Sequence, residues 1–124
     1  MIATSINLNT AVRTIADEKP FSLLGDLRGT IGAMVGVIRI HNDRPAGSWE
    51  RHLKGDELLV VLDGRFTMTV RSNNGTLEDH NLSAGDALLI PQGYSHSAQL
   101  HSPHIDILFV TPREGNEEWT EPQV

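Results

Sequence analysis

A chain of 124 residues is long enough for one compact domain that buries a core without covalent staples. Its 39% hydrophobic and 21% charged residues exclude a disordered or fibrous chain, and a net charge of -6 without any basic stripe argues against nucleic acid as a partner. With no cysteine, disulfides, thiolate ligands and a cysteine nucleophile are excluded, so any metal must be held by His, Asp or Glu.

The N-terminal stretch MIATSINLNTAVRT has neither a charged lead nor a continuous apolar run. Nothing in the chain approaches the ~20 apolar residues of a membrane span, so the expectation is a soluble, cytoplasmic protein without a membrane partner. Ser5 to Lys19 fits a short helix or an edge strand, and residues 1–30 are read as a segment packing on the body that follows. Gly25, Gly29, Gly32 and Gly36 lack the Gly-Lys-Ser/Thr ending of a phosphate loop and are read as turns and close strand contacts.

From residue 31 to 112, Gly, Pro, Asn and Asp punctuate short apolar or alternating segments, the pattern of an all-β domain. Eight strands are expected: Ala33 to His41, Ser48 to Leu53, Glu57 to Leu62, Arg65 to Arg71, Thr76 to Leu82, Ala87 to Pro91, Ser95 to Leu100 and His104 to Thr111. Asp63-Gly64 predicts a tight hairpin turn. Phe66, Met68 and Val70 alternate with Arg65, Thr67, Thr69 and Arg71, which gives one buried and one wetter face, whereas Leu58 to Leu62 is apolar on both. The acidic tail, residues 113–124, is expected to be a solvated arm, with Trp119 as the residue able to dock it on the body or on a partner subunit.

Chemistry concentrates in two places. Residues two apart on a strand share a face, so Glu50 and His52 project together, and a turn at Lys54-Gly55 can fold Glu57 back toward them. Far along the chain, Pro91-Gln92-Gly93-Tyr94-Ser95-His96 places a second imidazole just after a Pro/Gly turn. If the two hairpins face each other, two His and two carboxylates converge. Two imidazoles and a carboxylate suit iron(II), with manganese, nickel and zinc tolerated. The alternatives are a solvated strand end with weak surface ion pairs, Asp56 in place of Glu57, or Glu57 paired with an arginine. Arg39 and His41 either line the same cavity and clamp an anionic substrate or emerge into water; Tyr94 is a general acid or a pocket wall. His80, His101 and His104 are read as surface histidines.

These residues resemble the cupin superfamily, small β-barrels carrying two sequence motifs. In the first motif a His-x-His pair is followed by Glu and then Gly, and Glu50-Arg51-His52, Glu57 and Gly64 stand at those places. In the second, Gly85, Pro91-Gln92-Gly93 and His96 reproduce the spacing. The resemblance implies a double-stranded β-helix, or jelly-roll, barrel. It also implies that His52, Glu57 and His96 take three of four metal-ligand positions, with Glu50 where most members carry the first His. Arg44 and Leu100 depart from the family's leading Gly and closing Asn. The expected function is a divalent-metal site for iron, manganese, nickel or zinc, acting on a small sugar-like or keto-acid molecule; the alternative is a non-catalytic binding or sensing barrel. A homodimer is the expected assembly, because exposed edge strands need cover.

Overall fold

The computed structural model describes residues 5–27, 32–44 and 46–122. Gly29 and the first four and last two residues, on which expectations above touch, lie outside them. All eight expected strands form, each end within one residue of its expected place, and two more strands and a helix join them. In chain order the elements are α1 (Leu8–Arg13), β1 (Phe21–Leu27), β2 (Ala33–His41), β3 (Ser48–His52), β4 (Glu57–Asp63), β5 (Arg65–Arg71), β6 (Leu77–Ser83), β7 (Ala87–Ile90), β8 (Ser95–Leu100), β9 (His104–Pro112) and β10 (Asn116–Thr120).

The strands form two antiparallel five-stranded sheets, ordered β1-β2-β9-β4-β7 and β10-β3-β8-β5-β6. Apart from the hairpins β1–β2 and β5–β6, the chain changes sheet at every connection, as a jelly roll does. Alternation along the strands builds the core between the sheets: Leu59, Val61, Ile105 and Ile107 from one layer meet Phe66, Met68 and Val70 from the other. Leu58, Val60 and Leu62, on the other face of β4, are half-buried, in line with a strand that is apolar on both sides. The hairpin expected at Asp63-Gly64 is corrected, because β4 and β5 lie in different sheets; Gly64 makes the turn between the layers with φ of +91°, and a Cβ there would come within 2.5 Å of the His104 carbonyl, so both the conformation and the space require glycine.

The segment left open between helix and strand contains the six-residue α1, which is too short to persist alone and depends on its caps and packing. Asn7 Oδ1 accepts the Thr10 N–H at 2.9 Å, Thr14 Oγ1 donates to the Ala11 carbonyl at 2.7 Å, and buried Ala11 seats the helix near β1 and β2. The expected solvated arm is corrected: Asn116 to Thr120 pairs in full with β3 as β10, and Trp119 stands directly opposite Trp49. The Arg51 guanidinium lies 5.4 Å from the centre of the Trp119 ring, and Trp119 Nε1 donates to Glu121 at 2.7 Å.

Candidate metal centre

Strand register sets the site. On β3, Glu50 is directly opposite His96 of β8, and on its other side β3 pairs with β10, which brings Asn116 opposite His52. The connection after His52 is short, so Glu57 at the start of β4 returns on the facing sheet. The Pro91-Gln92-Gly93 turn is tied to that connection: Gly93 N–H donates to the His52 carbonyl at 2.8 Å and the Gln92 side-chain amide to the Leu53 carbonyl at 2.8 Å. The Gln92 backbone N–H donates to Asp56 at 2.8 Å, so Asp56 anchors the loop and Glu57 is the carboxylate that enters the cluster.

Glu50, His52, Glu57 and His96 each offer one ligand atom, and these atoms all lie within 4.8 Å of one another. His96 Nε2 is 2.8 Å from Glu50 Oε1 and 3.3 Å from Glu57 Oε1, while His52 Nε2 is 3.0 Å from Glu57 Oε2. His52, Glu57 and His96 are buried, and Glu50, with 37% of its side chain exposed, opens onto solvent. His52 Nε2 and Glu57 Oε1 are fully buried without a hydrogen bond among the described residues. Such buried polar atoms are costly unless something else satisfies them.

Outer contacts hold two of these side chains. Thr111 Oγ1 donates to Glu57 Oε2 at 2.6 Å, and His52 Nδ1 lies 2.8 Å from Asn116 Oδ1. His96 Nδ1 is buried with no partner among the described residues. Burial works against a charged His52, but the adjoining Glu57 carboxylate, with Asn116 and Glu50, outweighs it and raises the imidazole pKa to about 9. Burial likewise opposes ionisation of Glu50, yet the hydrogen bond and charge of His96, with His52 and Arg44 behind them, leave its pKa lowered.

The cluster faces a cavity of about 1010 Å³. Its deeper wall is hydrocarbon, from Ile38, Leu59, Phe66, Met68, Ile105 and Phe109. Arg39 and His41 border it as well, but Arg39 donates two hydrogen bonds to Asp106, at 2.7 and 2.9 Å, so the anion it clamps is the protein's own. His41 Nε2 lies 3.5 Å from Asp17. Tyr94, half-buried, packs against the hydrophobic core. His104, expected as a plain surface residue, forms a second acidic group with Asp63 and Asp106. There the Arg39 guanidinium already neutralises the buried carboxylate. Thr111 and Asn116 carried no signal in the sequence; their roles exist only once β9 and β10 are in register with β4 and β3.

No curated protein matches the chain by sequence. Among solved structures it resembles a cupin-2 domain containing protein from Shewanella frigidimarina, at 19% identity over 87% of this chain and 94% of that one, with a TM-score of 0.66. It also resembles Bacillus subtilis oxalate decarboxylase, a protein described with Mn(II) centres, at 19% identity over 73% of this chain and 24% of that one, TM-score 0.54. A third is Fe(II)-HppE, at 15% identity over 78% of this chain and 58% of that one, TM-score 0.54. These likenesses concern the fold. The sequence profile of the cupin domain matches residues 36–110, which run from within β2 to within β9 and include all four clustered side chains. With more than half of the chain matched and two sheets laid out as in those structures, the chain belongs to the cupin family.

Proposed function

We propose that the cavity holds a divalent metal on His52, His96, Glu57 and Glu50 and binds a small molecule against it. One observation carries this reading: His52 Nε2 and Glu57 Oε1 are buried without an aligned hydrogen bond among the described residues, and the four side chains offer ligand atoms that all lie within 4.8 Å of one another. A cation satisfies both at once, and two imidazoles with two carboxylates suit manganese, iron, nickel or zinc. When bound, the metal supplies a Lewis acid that polarises a carbonyl or enediol oxygen. A carboxylate of the set that is not bound to the metal would serve as the base for a molecule entering the cavity.

The wall divides the substrate classes expected from family breadth. A sugar would set some of its hydroxyls against Ile38, Phe66 and Phe109, where they would lose hydration, although Arg44, Ser97 and Asn116 also line the cavity. A keto acid with an aliphatic body places its oxygens at the ligand cluster and its carbon chain along the hydrocarbon, and is the proposed class. The test is metal analysis of protein purified without added metal, beside a His52→Ala variant. Near-stoichiometric metal that disappears in the variant supports the reading. Protein that takes up none of the four metals, even when each is supplied, overturns it.

The proposed assembly is a homodimer built on the sheet whose edge strands are β1 and β7. Phe21, Leu23 and Leu27 on the first and Leu89 on the second are exposed apolar side chains. Light scattering that gives the mass of one chain at micromolar concentration would remove this part.

A further inference from the structure

Asn116 stands outside the residues that match the family profile, on a strand that reaches the site from the C-terminal end. Its side chain makes two contacts. The Nδ2 group donates to the Pro112 carbonyl at 2.9 Å, and Oδ1 lies 2.8 Å from His52 Nδ1. The first contact settles the second: a carbonyl only accepts, so the amide nitrogen must face Pro112 and the amide oxygen must face His52. An oxygen acceptor at that distance requires a proton on Nδ1. In neutral His52 the lone pair is then on Nε2, the atom that meets Glu57 and Glu50.

We propose that Asn116 is a positioning residue of the metal centre, fixing His52 as the Nδ1–H tautomer and holding its ring so that Nε2 is the ligand atom. This rests on the metal-site reading above. The tautomer of a metal-binding histidine is commonly set in this way by a partner on its other nitrogen. Here the partner is delivered by β10, and the strand is well tethered. Gly115, with φ of +73°, takes the chain past Lys54 where a Cβ would come within 2.7 Å of that side chain, and its carbonyl accepts the Leu53 N–H at 3.0 Å. Arg51 pairs with Glu117 at 2.6 Å, and Arg71 binds Glu121 with two bonds while its guanidinium lies 4.1 Å from the centre of the Trp49 ring. His96 has no equivalent anchor among the described residues, since its Nδ1 is buried without a partner. The two imidazoles therefore differ: among the described residues only His52 has a side-chain partner on its Nδ1.

The experiment uses the full chain with histidine-detected nitrogen NMR and zinc as a diamagnetic probe. The His52 Nδ1–H should appear as a signal protected from exchange in both metal-free and zinc-loaded protein, with zinc on Nε2. Asn116→Leu should lose that protection and weaken zinc binding about 10- to 100-fold in chelator competition. Asn116→Asp keeps an oxygen acceptor toward Nδ1 and should restore most of the affinity. An unprotected Nδ1–H in the wild-type protein, or zinc bound through Nδ1, overturns the proposal without any variant. So does an Asn116→Leu protein that binds zinc as tightly as the wild type. If the wild type binds no zinc, the metal-site reading fails, and the metal-free spectrum recorded above about pH 9, where His52 is neutral, still decides whether Asn116 sets the tautomer.

Discussion

Metal uptake should depend on pH far more steeply than an ordinary histidine allows. With its pKa raised to about 9, the His52 imidazole holds a proton at neutral pH, and that proton sits among the atoms a cation must bind. Expelling it at pH 7 costs about 2.7 kcal/mol, two units at 1.36 kcal/mol each. The neutral fraction rises roughly 30-fold between pH 6.5 and 8, so the apparent association constant should rise about 30-fold as well. A histidine at its unperturbed pKa would give about twofold over the same interval. Chelator-competition titrations with zinc at four pH values measure the slope, and calorimetry in buffers of different ionisation enthalpy counts the protons released, which should be about one near neutrality. A twofold slope with well under half a proton released would refute the reasoning, because His52 would then be neutral beside Glu57 without help from a metal.

The same group makes metal-free stability fall with pH. A pKa raised in the folded state stabilises fully below the unfolded value near 6.5 and fades as pH climbs toward about 9, so urea unfolding of metal-free protein should lose up to about 3 kcal/mol across that window. Saturating zinc should reverse that trend, and a metal-free curve that is flat would contradict it. Thr111→Val removes the hydroxyl that donates to buried Glu57 at almost constant volume and should lower metal-free stability by about 1.5–3 kcal/mol; an unchanged urea midpoint would show that the bond contributes nothing. Gly64→Ala forces a Cβ toward the His104 carbonyl at φ of +91°, and thermal unfolding should report a loss of at least about 1–3 kcal/mol.

Much of the two-sheet fold was legible because its strands announce themselves locally. Arg65–Arg71 alternates without a break, and Phe66, Met68 and Val70 turn inward as that alternation requires. The ligand set was legible through spacing, since Glu50 and His52 share a face at any register and His96 follows a turn that only a strand entry explains. β1 escaped because its register shifts between Leu23 and Gly25, which spoils the period of two. β10 escaped for another reason: Asn-Glu-Glu-Trp-Thr has no apolar face, and its place comes from Trp49, Arg51 and Arg71 on other strands. Arg39 could be named as a charge near the cavity, but that Asp106 engages it bidentately depends on β2 and β9 lying side by side over their whole length.

The four clustered side chains do not all come from one layer: Glu50, His52 and His96 belong to one sheet and Glu57 to the other. An ion held by all four would rivet the two layers at one end of the sandwich, while the packed core grips them further in. Loading would then slow any breathing of the layers, and amide exchange in β3, β4 and β8 would slow in step with occupancy while α1 and β1, remote from the rivet, kept their native rates. Each amide in those three strands would become a gauge of how full the centre is.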